Sequence, residues 1–194
     1  RTQHESALNS IAKKGQGRNS LAESRDSVSG GVKGQRPLRL LIIGRNITMR
    51  THSPNETREL AKRLAKELRR GDVLLLWGDL GAGKSEFTRG LAQGLGVTAT
   101  VTSPSFTILN VYDDGRIPLY HFDWYRLNSV EELYEMGMEE FLGGDGVAVV
   151  EWPSQCPEAI PETHLAIRLT PVDETTRDVT ITPVSYTHLT LPTN

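Results

Sequence analysis

Gly78-Asp79-Leu80-Gly81-Ala82-Gly83-Lys84-Ser85 satisfies the spacing G-x-x-x-x-G-K-[ST] of a Walker A loop. It stands between a short apolar run and a helical pattern, as such a loop requires. Val73 to Trp77, read as VLLLW, has the length and unbroken apolar character of a strand buried on both faces of a parallel sheet. Lys84 to about Leu95 reads as a helix. The glycines permit positive φ and close approach, so successive backbone N–H groups can face phosphate oxygens while the helix N-terminus adds its partial positive charge. Lys84 is placed to reach the β and γ phosphates, and the Ser85 hydroxyl to take one position on Mg2+. The nucleotide-binding set from this stretch is Leu80, Gly81, Ala82, Gly83, Lys84, Ser85 and Glu86.

Upstream, Ser53-Pro-Asn-Glu56 supplies a capping side chain, a proline at the first helical position and a glutamate spaced to close a capping box. Leu60, Ala61, Leu64, Ala65 and Leu68 follow at helical spacing, and Arg69-Arg70-Gly71 predicts the stop. Downstream, Phe106 to Tyr112 and Pro118 to Asp123 flank Asp113-Asp-Gly115 and predict a hairpin. Val130 to Phe141 reads as a helix interrupted at Gly137, Val147 to Val150 as a buried strand, and His164 to Leu169 and Asp178 to Ile181 as the last strands. The fold class is α/β: a P-loop NTPase-like mixed sheet with a parallel core and added antiparallel strands, flanked by helices.

Val147-Ala-Val-Val-Glu151 is an apolar strand that ends in a carboxylate, the form of a Walker B element, which sets an acid beside Mg2+ at the carboxyl edge of the sheet. Asp123 also ends a strand and is a candidate to hold the attacking water or a metal-bound water. The catalytic candidates are therefore Lys84, Asp123 and Glu151, and the metal candidates Ser85, Glu151 and Asp123. His121 and Tyr125 lie two residues either side of Asp123 and read equally well as packing or capping residues. Thr102-Ser-Pro-Ser-Phe-Thr107 gathers hydroxyls where a nucleotide-sensing segment or an ordinary turn would sit, and Arg126 is spaced to pair with Glu131 or Glu132.

The chain has 194 residues, 37% hydrophobic and 24% charged, with a net charge of -2. Arg1 to Arg45 carry nine Lys or Arg against three Asp or Glu, and the remainder thirteen against twenty-one, which leaves it near -8. A fold that acidic lacks an evident basic surface for a nucleic-acid backbone, so an RNA-related role runs through a protein partner. No apolar run approaches the roughly 20 residues that span a bilayer, and the start lacks signal-peptide order, so a cytoplasmic location and no membrane contact are expected. The lone Cys156 forms no internal disulfide.

Composition divides the chain into three parts. Residues 1–46 are expected to be a disordered or non-native leader in which Leu38 to Ile43 has the character of an edge strand and Met49, just beyond, that of an initiator. Residues 47–183 form the P-loop domain. Residues 184–194, with VSYTHLTLPT, resemble the translation of a sequencing adapter.

GDLGAGKS, VTSPSF, YHFDWYRL, EELYEMGMEEF and VAVVEWP, in this order and spacing, resemble the bacterial TsaE (YjeE) family over about Pro54 to Pro153. The resemblance implies a small P-loop ATPase that binds ATP and Mg2+ and acts with TsaB and TsaD to make threonylcarbamoyladenosine at position 37 of tRNAs, the tRNA being met only through the complex. It implies that Leu80 to Ser85 bind ATP, that Ser85 and Glu151 hold Mg2+, that Asp123 assists hydrolysis and that Trp152 lies beside the site. It places Arg177 near the nucleotide and Ser53 to Thr57 beside the base. Where this family has threonine in its SPT-aromatic segment, this chain has Ser105.

A small-molecule or nucleoside kinase is the alternative on the same loop, with Asp123 as base toward an acceptor hydroxyl. Only Arg89, Arg116 and Arg126 lie between Ser85 and Pro153, a thin supply for an arginine-rich lid. A GTP-binding module is disfavoured because no Asn-Lys-x-Asp segment occurs.

Overall fold

Seven strands form one mixed sheet in the order β1-β7-β6-β2-β5-β4-β3. The structure, a computed structural model, describes residues 46–184. The leader through residue 45, with its Leu38 to Ile43 segment, and the tail from residue 185 lie outside the described residues. The strands are β1 (Ile47–Thr51), β2 (Val73–Trp77), β3 (Leu109–Tyr112), β4 (Leu119–Asp123), β5 (Val147–Glu151), β6 (His164–Pro171) and β7 (Arg177–Val184). The helices are α1 (Pro54–Ala65), α2 (Lys84–Leu95) and α3 (Val130–Glu135), with a 3-10 turn over Met138–Phe141.

β2 lies at the centre, parallel to β5 on one side and β6 on the other, and β4 extends the parallel set beyond β5. Antiparallel pairing of β3 with β4, and of β7 with β6 and β1, completes the two flanks. The mixed sheet with a parallel core is thus as expected. β2 is apolar at every position because both its faces are covered. Leu74 and Leu76 meet α1 and α2, while Val73 and Leu75 join Phe122, Trp124, Leu133 and Met138 on the other face. Burying each such leucine contributes about 1.5–3 kcal/mol. Among the described residues no helix is long and apolar enough to cross a membrane.

α1 begins where the sequence predicts. The Ser53 side chain accepts from Glu56 N at 3.1 Å, and Pro54 occupies the first turn. The reciprocal arm differs by one residue, because the Glu56 carboxylate takes His52 N at 2.8 Å. The helix also stops at Ala65, short of the predicted stop near Arg69 to Gly71. Its final carbonyl and that of Leu68 just beyond share a partner from far away: the Arg116 guanidinium donates to Ala65 O at 2.6 Å and Leu68 O at 3.0 Å. A long-range cap thus replaces further helical turns, and Leu68 stays buried outside the helix.

The hairpin corrects two expected boundaries. β3 starts at Leu109 and not at Phe106, because Thr107 N and Ile108 N both donate to Pro104 O and close a turn that leaves Ile108 at φ 65. β4 starts at Leu119, one residue after the predicted Pro118, and the connecting loop is held by Asp114, which accepts from Thr98 and Ala99. β1 was not anticipated as a strand. It pairs along β7 from Ile47 with Ile181 to Thr51 with Arg177, and Val184, placed in the tail by composition, is the last residue of β7.

α1 and α2 cross with almost no side chain between them. A Cβ at Gly90 would lie 2.3 Å from Arg58 O and 2.8 Å from Ala61 Cβ, and one at Gly94 would lie 2.5 Å from Lys62 O. These glycines are needed for close approach, and through α2 they fix the height of the loop at its N-terminus. Gly90→Ala should lower the unfolding free energy by about 1–3 kcal/mol in urea denaturation. A midpoint equal to that of the unaltered chain would show that the two helices separate without cost.

Candidate functional site

The loop between β2 and α2 carries positive φ at Gly78 (150), Gly81 (77) and Gly83 (105). A Cβ at Gly78 would stand 2.7 Å from Leu169 O and 2.8 Å from the Ala82 side chain, so the turn admits no larger residue without displacement. The backbone of the loop therefore curls over the N-terminus of α2, at the carboxyl edge of the parallel strands. In doubly wound sheets this edge is where ligands collect. A cleft of about 510 Å³ opens there.

Lys84 is buried, 5% exposed, and its ammonium donates to Gly78 O at 2.7 Å and Asp79 O at 3.0 Å. The Trp152 ring covers it at 3.8 Å from the ring centre. Burial pushes the Lys84 ammonium below its ordinary value, while Glu151, Asp123 and Asp79 pull it back. Ser85, in the first turn of α2, donates from Oγ to Glu151 Oε1 at 3.2 Å. Glu151 ends β5 and is 3% exposed. The ammonium, the hydroxyl and the carboxylate thus meet at one end of the sheet.

Asp123 ends β4 in register with Glu151 on β5. Its Oδ2 accepts from Ser105 Oγ at 2.8 Å and Ser103 Oγ at 3.2 Å, and its Oδ1 from Tyr125 N at 3.0 Å. Leu80, Gly81, Gly83, Lys84, Ser85, Glu86, Asp123, Glu151 and Trp152 all border the same cleft. Ala82 does not: it is fully buried, and its carbonyl serves the loop. Glu86 lies between two arginines, Arg58 at 3.5 Å and Arg89.

Arg177 does not aim into the cleft. Its guanidinium donates to the carbonyls of Gly81, Ala82, Asp173, Glu174 and Thr176 and so ties the β6–β7 turn to the Walker loop. It borders a separate small cavity of about 170 Å³ with Pro54, Thr57, Gly81, Gly83, Glu86 and Thr175. The expected Arg126 to Glu131 or Glu132 pairing is also replaced. Arg126 stacks on the exposed Phe106 ring at 4.4 Å, and Glu132 accepts from Asn128.

Sequence reading named no specific role for three residues that line the cleft, Ser103, Ser105 and Arg89, or for His121 behind it. Ser103 and Ser105 were visible as hydroxyls of a nucleotide-sensing segment or an ordinary turn, Arg89 only as one of a few arginines, and His121 as a packing or capping residue. His121 is fully buried and sits 2.9 Å from Glu151 Oε1. Its position two residues before Asp123 on the same strand was the one available signal.

Two carboxylates and a hydroxyl are hard oxygen donors, which fit Mg2+ in the company of phosphate oxygens and water. Among the described residues no cluster of three or more His, Cys, Asp or Glu could hold a metal by itself.

A strand, a glycine loop cradling a helix N-terminus, a buried lysine and a carboxylate on the neighbouring strand define the class of P-loop nucleotide-binding proteins. Residues 51–179 match the family model described as Threonylcarbamoyl adenosine biosynthesis protein TsaE. This chain belongs to the TsaE family. It is 44% identical over 140 residues to the tRNA threonylcarbamoyladenosine biosynthesis protein TsaE of Bacillus subtilis (strain 168), covering 72% of this chain and 87% of that protein. With the protein of the same name from Treponema pallidum (strain Nichols) it shares 39% identity, covering 68% of this chain and 96% of that protein. Among solved structures it resembles the crystal structure of Bacillus subtilis YdiB, with a TM-score of 0.64 and 42% identity over 73% of this chain and 87% of that one.

Arg177→Ala should weaken ADP binding by about tenfold in calorimetric titration, because loop carbonyls held by a charged donor lose roughly 1.4 kcal/mol of support. Equal affinity would show that the loop keeps its shape unaided. The same turn predicts an acid response. Hydrogen bonds from the Thr176 side chain and backbone and from Thr175 hold Asp173 down to about 2. A folded value below the unfolded one gives stabilisation that is complete above about pH 4 and is lost as the pH falls toward 2. Asp173→Ala should remove that segment from the acid-unfolding curve of the intact chain, and a curve of unchanged shape would contradict it.

Proposed function

We propose that this chain is the ATP-hydrolysing component of the machinery that makes N6-threonylcarbamoyladenosine in tRNA, working with TsaB and TsaD proteins in the cytoplasm. Family membership carries the pathway, and the convergence of Lys84, Ser85 and Glu151 on one cleft carries the chemistry. The triphosphate lies along the loop, its oxygens facing the backbone N–H groups of Gly81 to Ser85 and the N-terminus of α2. Lys84 exchanges the carbonyls of Gly78 and Asp79 for phosphate oxygens, which is a short movement for a side chain already confined under Trp152.

Ser85 and Glu151 would hold Mg2+, which supplies Lewis-acid neutralisation of the charge that develops on the phosphates. Asp123 is the residue for the attacking water. It already accepts from Ser103, Ser105 and Tyr125 N, so it must exchange one of these donors for the water. A hydrolase with that arrangement turns over slowly alone and is accelerated when a partner shifts the Ser103 to Ser105 segment. Exposed Leu80 (90%) at the cleft, and Phe106 (81%) stacked on the cleft residue Arg126, give such a partner apolar surface to cover. The net charge of the P-loop part, near -8, favours contact with tRNA through the complex.

Of the three arginines between Ser85 and Pro153, Arg116 is occupied in capping α1. Only Arg89 and Arg126 border the cleft, and this counts against a kinase lid.

Lys84→Ala should abolish measurable ATP binding, and Glu151→Gln should lower hydrolysis by about 10²–10³-fold with fold and nucleotide binding retained. The pathway itself is tested by ATP hydrolysis with and without TsaB and TsaD, together with the modified-adenosine content of tRNA from cells lacking the gene. Acceleration by the pair and loss of the modification are expected, and absence of both would remove the reading.

A further inference from the structure

His121 lies midway along β4, opposite Val149 on β5 and Asn110 on β3. Strand alternation puts it on the same side of the sheet as Leu119, which packs in the α1 and α2 core. An apolar residue would satisfy that position. Instead a fully buried imidazole occupies it, and its Nδ1 finds no hydrogen-bond partner among the described residues. An orphaned polar atom of this kind disfavours folding by roughly 1–3 kcal/mol, so packing alone does not account for the residue.

Among the described residues the one polar contact of the ring is with Glu151, Nε2 to Oε1 at 2.9 Å. Ser85 Oγ donates to that same oxygen at 3.2 Å. No protein donor among the described residues reaches Oε2. Both hydrogen bonds therefore fall on one carboxylate oxygen and leave the other open. A metal would engage a lone pair of the Ser85 hydroxyl and leave its hydrogen on Oε1. His121 is therefore the one donor on Glu151, among the described residues, that is not itself a candidate metal donor.

We propose that His121 is the positioning residue of the metal site: its Nε2–H holds Glu151 Oε1, orients the carboxylate and leaves Oε2 for the metal. The inference rests on the reading of Glu151 as a metal donor. Partners in this outer position fix the orientation of an inner donor, and their loss typically costs 10–100-fold in metal affinity or activity. Neighbouring apolar core cannot substitute, since no other side chain within the described residues donates to Glu151 except Ser85.

The test uses the full chain and calorimetric titration with ADP in EDTA and at stepped Mg2+ concentrations. His121→Leu removes the donor at similar volume, and His121→Gln restores an N–H at a reach close to that of Nε2. For His121→Leu, ADP affinity in EDTA should stay within about twofold, while the Mg2+ concentration for half-maximal tightening rises about 10–100-fold. His121→Gln should recover most of that shift, and kcat for ATP should fall more than KM rises in the leucine variant alone. If His121→Leu does not fold, His121→Asn, whose shorter amide falls short of Oε1, replaces it in the comparison with His121→Gln. A Mg2+ midpoint unmoved in the donor-less variant while Glu151→Gln moves it would overturn the positioning role. So would a shift that glutamine does not restore, because the ring's shape would then be the cause. A midpoint unmoved by Glu151→Gln would instead overturn the metal reading of Glu151, and the role of His121 would fall with it.

Discussion

The parallel ladder between β2 and β5 sets Leu76 opposite Glu151, two residues before the Walker loop leaves the sheet at Gly78. Everything at the site depends on that register. In a parallel sheet both strands end at the same edge, so the carboxylate that closes β5 arrives beside the hydroxyl that opens α2. A slip of one residue would turn Glu151 to the opposite face, away from Ser85 and His121 and into the packing of Phe122 and Trp124. The continuous apolar character of both strands resists such a slip only weakly, since either face of each is buried. The loop glycines and the close crossing of α1 with α2 supply the remaining constraint.

The site is a set of polar groups already in hydrogen bonds with one another. Lys84 rests on its own loop, Ser85 on Glu151, Asp123 on two serines and a backbone amide, and Arg177 on the loop carbonyls. Burial makes unpaired versions of these groups costly, so internal partners stand in for ligand oxygens. Ligand binding is then largely an exchange of acceptors and donors at nearly constant positions. That exchange is what lets a small α/β fold hold a charged pocket without unfolding around it.

Trp152 and Ile108 mark where backbone shape is imposed on side chains that resist it. Both have positive φ without being glycine, at 58 and 65. Trp152 follows Glu151 directly, and its turn lays the ring over Lys84. Ile108 follows the serine-bearing segment, and its turn keeps Ser103 and Ser105 against Asp123 while Phe106 faces solvent. Strain of this kind gathers at ligand sites because surrounding contacts there over-determine the backbone.

Much of the fold was legible in the sequence because its signals are local. A glycine pattern that demands positive φ, a capping serine with proline at the first turn, and apolar runs of strand length each act within a few residues. They determined the Walker loop, the start of α1, strands β2, β4 and β5, and Lys84, Ser85 and Glu151 as a set. What only the tertiary structure decided involves partners far apart along the chain: Arg116 ending α1 from 51 residues away, Arg177 bracing the loop from 95, and His121 holding Glu151 across 30. No periodicity or spacing encodes those pairs. They exist because the sheet places its strands in a spatial order that differs from their order in sequence, and burial then forces each polar group to find whichever partner that order brings within reach.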